Sequence, residues 1–173
     1  ERLANAGVGV MGNVVRSPKT LLGESKVFVE GVPRNPKDMV ADIVKHVCCH
    51  ASEQQPGDYG HAVVTIPVDM NGARRRELRD AFRMAGVNIV QFIHEPLAAL
   101  YGHLCSEVDS KGNHVRKSGF EDHLRKLNRE LMLVFDWGGG TLDLTLCQIV
   151  DGMVVQIMND GCSNVGGDVL DNI

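Results

Sequence analysis

Two aspartates seven residues apart bracket a glycine turn in Phe135-Asp136-Trp137-Gly138-Gly139-Gly140-Thr141-Leu142-Asp143. Glycine reaches positive φ at little steric penalty and carries no side chain, so consecutive glycine N–H groups can crowd around a phosphate. Asp136 and Asp143 flank that nest, where carboxylates can hold a hydrated Mg²⁺ or orient an attacking water. The Thr141 hydroxyl adds a neutral donor between them. Three glycines alone mark no more than a β-turn. Acids on both sides, between two strand-like runs, turn the pattern into one for handling phosphate. No Gly-Lys-Ser/Thr follows, which excludes a Walker loop, and a strand rather than a helix comes next, which excludes a dinucleotide fingerprint.

The surrounding pattern must position this hairpin. Leu131 to Phe135 is an apolar run leading in, and Thr141 to Ile149 alternates on the way out. With a second turn at Asp151-Gly152, Leu131 to Asp160 reads as a three-stranded antiparallel meander. Upstream, Lys26 to Glu30 suggests a short strand. Pro36 opens a helix whose Met39, Ile43, Val44 and Val47 recur at helical spacing. Gln54 to Gly60 is a turn-rich break. Ala62 to Pro67 then reads as a buried strand, apolar on both faces. Asn71 caps a helix with Leu78, Ala81, Phe82 and Ala85 on its apolar side, and Gly86 stops it. Val87 to Ile93 is the next strand, so the two strands form a βαβ unit and are expected as parallel neighbours. A helix entered at Pro96 covers Leu97 to Leu104. Cys105 to Glu130 is polar and reads as a surface excursion with a modest helix on Phe120, Leu124 and Leu127. Val165-Gly166-Gly167-Asp168 is a candidate start for a last helix. The fold class is α/β, mixed sheets with flanking helices.

Composition limits the partners. The 173 residues carry a net charge of −4, which argues against nucleic acid or an anionic membrane. Arg74-Arg75-Arg76 is read as a solvated helix face. No apolar run approaches the about 18 residues that span a bilayer. The five cysteines show no C-x-x-C spacing, which fits a reduced, cytoplasmic compartment. His46, Cys49 and His50 share a helical face, but a structural zinc site wants a fourth ligand, so ordinary helix residues are the preferred reading.

Six segments in order resemble the ATPase domain of the seventy-kilodalton heat-shock chaperones, in the actin-like (ribonuclease H-like) ATPase superfamily. They are Asn13-Val14-Val15-Arg16-Ser17-Pro18-Lys19-Thr20-Leu21-Leu22-Gly23, Val64-Thr65-Ile66-Pro67, Ala85-Gly86-Val87-Asn88-Ile89, His94-Glu95-Pro96-Leu97-Ala98-Ala99, the glycine hairpin, and Gly166-Gly167-Asp168-Val169-Leu170-Asp171-Asn172. The resemblance implies ATP or ADP with Mg²⁺, K⁺ as a further cation, and hydrolysis tied to a chaperone cycle. It implies that Lys19 is the catalytic lysine near the γ-phosphate, where a point charge stabilises phosphoryl transfer. Without the family, Lys19 would read as a surface lysine. Glu95 matches the glutamate that reaches the metal through water, and an acid at the end of a parallel strand sits where α/β ligands bind. Asp136 matches the acid that polarises water, Thr141 the hydroxyl near the terminal phosphate, and Asp143 the second acid of the hairpin. Gly138, Gly139, Gly140, Gly166 and Gly167 are the implied nucleotide-contacting glycines. Pro67 and Arg75 match the family's proline switch and its arginine, against the plainer readings of a strand-ending proline and a solvated arginine.

The sequence also departs from the family pattern. Val68-Asp69-Met70 replaces a small-aromatic-aromatic run after Pro67. His94 stands where asparagine is usual and Leu97 where threonine is usual. The Cys105 to Glu130 connection is longer than the family's, and the link from Gly23 to Pro36 is shorter. Residues 1–130 are read as a partial first lobe and 131–173 as the opening meander of the second. An Asp-x-Gly-Thr hairpin is expected before residue 1, and adenosine-gripping glycines and a peptide-binding domain after residue 173. On that reading the chain is a piece of a longer one and, isolated, does not turn over efficiently. Its partners are then the rest of the ATPase domain, the peptide-binding domain, co-chaperones and unfolded clients. Two rivals remain open: a small-molecule kinase on the same fold, and a nucleotide-sensing interaction module that does not hydrolyse.

Overall fold

The computed structural model describes residues 15, 18–139, 141–162, 165 and 167. Four helices and nine strands are formed among them, and the chain divides into two compact units, 1–63 with 71–91, and 64–70 with 92–173.

In the first unit, strands β1 (Val27–Val29) and β2 (Val32–Arg34) pair antiparallel across Glu30-Gly31. Both turn residues have positive φ, 50° and 76°, the combination that a two-residue type I′ hairpin requires. Helix α1 (Pro36–Gln54) starts where Asn35 accepts the Lys37 N–H at 2.9 Å, with Pro36 at the first helical position. Its buried residues are Pro36, Val40, Ala41 and Val44. Ile43 and Val47 are instead 50% and 57% exposed, so the apolar face lies about one position round from the expected one. Val40, Ala41 and Val44 keep the i, i+1, i+4 geometry of a single stripe. Helix α2 (Gly72–Met84) packs against α1. Asn71 accepts the Arg74 N–H at 3.0 Å, Leu78 and Ala81 are buried, and Gly86 leaves the helix at φ 83°.

Strands β3 (His61–Ile66) and β4 (Asn88–His94) form a two-stranded sheet. The Asn88 N–H donates to the Gly60 carbonyl at 2.8 Å, setting the two strand starts side by side, as in a parallel pair. The strand expected to be buried on both faces is not. His61, Val63 and Thr65 are exposed, while Ala62, Val64 and Ile66 are partly or fully buried. A pleated strand alternates its side chains, and among the described residues only one side of β3 is covered.

The second unit has a core of its own. Helix α3 (Glu95–Cys105) leads into hairpin β5 (Ser106–Val108) and β6 (His114–Arg116), then helix α4 (Phe120–Lys126). Strands β7 (Leu131–Trp137), β8 (Leu142–Val150) and β9 (Met153–Cys162) form the antiparallel meander expected from the sequence. Asp151 and Gly152 make a second type I′ turn, at φ 51° and 78°. Leu100 and Leu104 of α3, Leu124 of α4, and Cys147 and Ile149 of β8 form a buried cluster, with Leu97, Phe120, Leu127, Met132, Val134 and Val154 packed around it. The region from Cys105 to Glu130 is therefore not merely a surface excursion. Its helix contributes Leu124, 3% exposed, to the core, because Phe120, Leu124 and Leu127 share one helical face. Burial pushes the Cys147 thiol up, so it stays a neutral, apolar-like group there.

The tip of the β5–β6 hairpin is held by Asp109, whose Oδ1 accepts the Lys111 and Asn113 N–H groups at 2.8 and 2.9 Å. Those bonds, the one from Asn113 first, hold its carboxyl below the usual value. A group whose folded pKa is depressed contributes stability above its unfolded pKa and loses it as pH falls through the folded one. Acidification through and below the ordinary aspartate range, about pH 4, should therefore release the tip. The protection of the Lys111 and Asn113 amides, relative to their intrinsic exchange at each pH, should fall there, and Asp109→Ala, which removes the acceptor, should lose it at neutral pH as well; an unchanged profile would exclude this role.

Candidate functional site

The β7–β8 register builds the site. Asp136 and Asp143 are direct partners across the two strands. Opposed residues of an antiparallel pair point to the same side, with Cβ atoms about 5 Å apart, so both carboxylates share one face. It is also the face of the core. Alternation carries Met132, Val134 and Asp136 along β7 and Ile149, Cys147, Thr145 and Asp143 along β8. The inner surface is thus apolar at one end and acidic at the hairpin end.

Between the acids the chain turns tightly. The Gly138 N–H donates to the Thr141 carbonyl at 2.9 Å, and the Gly167 N–H donates to the Gly138 carbonyl at 2.9 Å. A Cβ on Gly167 would lie 3.7 Å from both Gly138 O and the Gly139 Cα, so the second glycine segment lies against the first. Trp137 stays 55% exposed but donates its indole N–H to the Val165 carbonyl at 2.6 Å, tying the same two segments together. Gly138, Gly139, Thr141 and Gly167 are thereby gathered in one place; Gly140 and Gly166 lie outside the described residues, as does most of the candidate last helix.

Asp143 is the most constrained group. Its side chain is 1% exposed, Oδ1 accepts the Val68 N–H at 3.2 Å, and Oδ2 is buried with no hydrogen-bond partner among the described residues. Thr145 Oγ1, two residues along the same face, is likewise buried and unpartnered. Buried polar atoms are nearly always bonded, so two orphaned oxygens beside a glycine turn mark a place built for polar company. Val68 follows Pro67 directly, which joins the hairpin acid to the segment after the buried Pro67.

Gly161 is a residue that sequence reasoning missed. It sits opposite Asp143 on β9, and a Cβ there would fall 2.7 Å from Asp143 Oδ1. The register shift between Leu146 and Cys147 puts it there. Continuing the pairing Val150↔Met153 and Cys147↔Gln156 without a bulge would set Asp143 against Asp160 instead. The bulge trades a like-charge pair for a glycine that makes room.

Glu95 opens α3, the helix that packs on β7 and β8, and an acid in a first turn complements the helix dipole. His94 before it makes no cap bond; its Nδ1 lies 3.1 Å from Gln156 Oε1 on β9, which fixes the start of α3 to the meander. Lys19 and Arg75 belong to the first unit, Lys19 in the turn 18–22 and the half-buried Arg75 in the first turn of α2. A cavity of ≈ 340 Å³ in that unit, lined by residues including Arg34, Asp38 and Asp42, contains none of the expected site residues. On α1, His46 and His50 stack at 6.5 Å and His50 lies 3.5 Å from Glu53. No group of three or more His, Cys, Asp or Glu arranged to hold a metal occurs among the described residues, nor does a helix long and apolar enough to cross a membrane.

Helices among small separate sheets, with a two-acid glycine hairpin joining the first two strands of the meander, make this an α/β protein of the actin-like kind. The family model described as Hsp70 protein matches residues 13–173, and the chain belongs to that family. It is 31% identical over 158 residues to the chaperone protein DnaK of Thermosipho melanesiensis, covering 91% of this chain and 24% of that one. It is 31% identical over 160 residues to the DnaK of Mycoplasma mycoides subsp. mycoides SC, covering 92% and 24%. Against the dnaK protein of Phaeodactylum tricornutum it is 30% identical over 139 residues, 80% and 20% of the two chains. The chain therefore spans about a quarter or less of the length of the relatives it matches.

Proposed function

We propose that this chain forms part of an ATP-binding, ATP-hydrolysing chaperone domain, with the hairpin at 136–143 receiving the terminal phosphates. The observation that carries the reading is the pairing of Asp136 with the buried Asp143, whose second oxygen is orphaned, at a glycine turn on which Gly167 closes. Family membership supports the same conclusion. Lys19, Glu95, Asp136 and Thr141 are the proposed catalytic groups, with Gly138, Gly139, Gly140, Gly166 and Gly167 around the nucleotide. Lys19 would supply positive charge to the transferring phosphoryl group, Asp136 would orient the attacking water, and Thr141 would donate to a phosphate oxygen.

The donor set fits Mg²⁺. Carboxylates that reach the ion through water suit one that keeps most of its waters and takes the rest of its shell from phosphate. Bound there through water by Asp136, Asp143 and Glu95, Mg²⁺ would neutralise developing phosphate charge; K⁺ would be a companion cation. Pro67 and Arg75 are proposed to relay nucleotide state, and the Val68 N–H bond to Asp143 gives that relay a physical beginning. Residues 1–130 would belong to one lobe and 131–173 to the other. A cytoplasmic setting, co-chaperones, unfolded clients and a peptide-binding domain follow from the same reading, without nucleic acid or membrane.

The test is product analysis with γ-labelled ATP and the longest native chain that carries these residues. Release of inorganic phosphate is expected. Transfer of the label to a small acceptor would make the protein a kinase, and tight binding without release would make it a sensor.

A further inference from the structure

The turn that carries Lys19 is fastened to α2 at both of its ends. Successive bonds Leu21 N–H to Pro18 O, Leu22 N–H to Lys19 O and Glu24 N–H to Leu21 O, at 3.1 to 3.4 Å, wind residues 18–24 into overlapping turns. Leu22, 2% exposed, anchors the winding in the core. Such short turns hold poorly by themselves, because each bond closes only a few residues. Two side chains of α2, three residues apart and so on one helical face, supply what is lacking. Arg74 Nη2 donates to the Thr20 carbonyl at 2.9 Å, and Glu77 Oε2 accepts the Gly23 N–H at 2.7 Å. One bond lies directly after Lys19, the other closes the turn.

The fit is specific at both points. Gly23 has φ 99°, a conformation that glycine alone adopts freely, and a Cβ there would lie 3.4 Å from Arg74 Cγ. The Arg74 stem therefore lies along Gly23 while its head reaches back to Thr20. Arg74 Nε is buried with no hydrogen-bond partner among the described residues, so this guanidinium is packed in place. A solvated arginine leaves no such orphan. The expectation that Arg74-Arg75-Arg76 is a solvated face thus fails for Arg74, although Arg76 is exposed.

We infer that Arg74 and Glu77 are positioning residues that clamp the Lys19 turn and so fix where the lysine ammonium is presented. The inference rests on the proposed catalytic role of Lys19. A charge that acts by electrostatic preorganisation must be held still, and a displacement of about 1 Å in a positioned group can lower a rate by about a hundredfold.

The experiment combines amide exchange across residues 19–24 with single-turnover ATP hydrolysis, both on the longest native chain. The variants are Lys19→Ala, Arg74→Ala, Glu77→Ala, Glu77→Gln and the double variant Lys19→Ala/Arg74→Ala. Glu77→Ala should speed exchange at Gly23 by about tenfold or more, because its acceptor is gone. Arg74→Ala and Glu77→Ala should lower the hydrolysis rate by about ten- to a hundredfold with ATP affinity changed by less than about threefold. Glu77→Gln keeps an acceptor oxygen and should restore most of the rate. The double variant should be no slower than Lys19→Ala alone, because both changes remove the same positioned charge. Losses that multiply, or exchange at Gly23 that does not respond to Glu77→Ala, would overturn the clamp. Wild-type hydrolysis by Lys19→Ala would instead remove the lysine's catalytic role, and Gly23 exchange would still decide whether the clamp exists.

Discussion

Asp136→Asn is expected to slow ATP turnover of the native chain by on the order of a hundredfold or more, with little effect on folding. The substitution keeps the shape and one carbonyl oxygen and removes only the charge. Asp136 stands half-buried at the end of β7, so the strand ladder that fixes its Cα does not depend on its side chain. Its partner Asp143 differs. That carboxylate is buried and takes a backbone bond from Val68. Asp143→Asn thus removes charge and also either puts an NH₂ group where a buried oxygen has no partner among the described residues or turns it towards the Val68 N–H. The two variants should therefore separate. Asp136→Asn should leave the urea midpoint essentially in place and strike the rate, whereas Asp143→Asn should move both. Rapid hydrolysis by Asp136→Asn would remove the proposed catalytic role of Asp136 and leave its side of the hairpin as structure only.

How much of this was legible from residues alone varied with the range of the physics. Local rules carried far. Asn71 and Pro36 announced their helices, Asp151-Gly152 announced its hairpin, and the three strands of the meander fall within two residues of where alternation set them. Glu30-Gly31 makes the same turn type as Asp151-Gly152, yet β2 was not foreseen. Glutamate is not a residue that signals positive φ, and Val32–Arg34 contains a proline. The β5–β6 hairpin was also missed, because it is held by Asp109 side-chain bonds at a polar tip rather than by an apolar pattern. On α1 the period was right and the phase wrong: Ile43 and Val47 fit the helical spacing as well as Val40 and Val44 do, and only the packing against α2 decides between them. At the site, the two acids were plain in the sequence. The Arg74–Thr20 and Glu77–Gly23 bonds were not, since each spans 54 residues.

Gly161→Ala is expected to lower both stability and turnover. Gly161 has ordinary φ, so backbone strain is not the issue. The added Cβ would lie 2.7 Å from Asp143 Oδ1, well inside contact distance. A surface carboxylate could swing away, but this one is 1% exposed and bonded to Val68, and moving it breaks that bond inside the core. Overpacking of this kind costs about 1–3 kcal/mol, read as a lower urea midpoint. Turnover should fall as well, because the displaced carboxylate is a proposed outer ligand of the metal. The two effects share one cause, and a double-mutant cycle exposes it. In an Asp143→Ala background the obstructing oxygen is gone, so Gly161→Ala should then lower stability by less than about 0.5 kcal/mol. An equal loss in both backgrounds would mean that β9 itself, through its bulge, needs the glycine, and that the carboxylate is not what the missing Cβ makes room for.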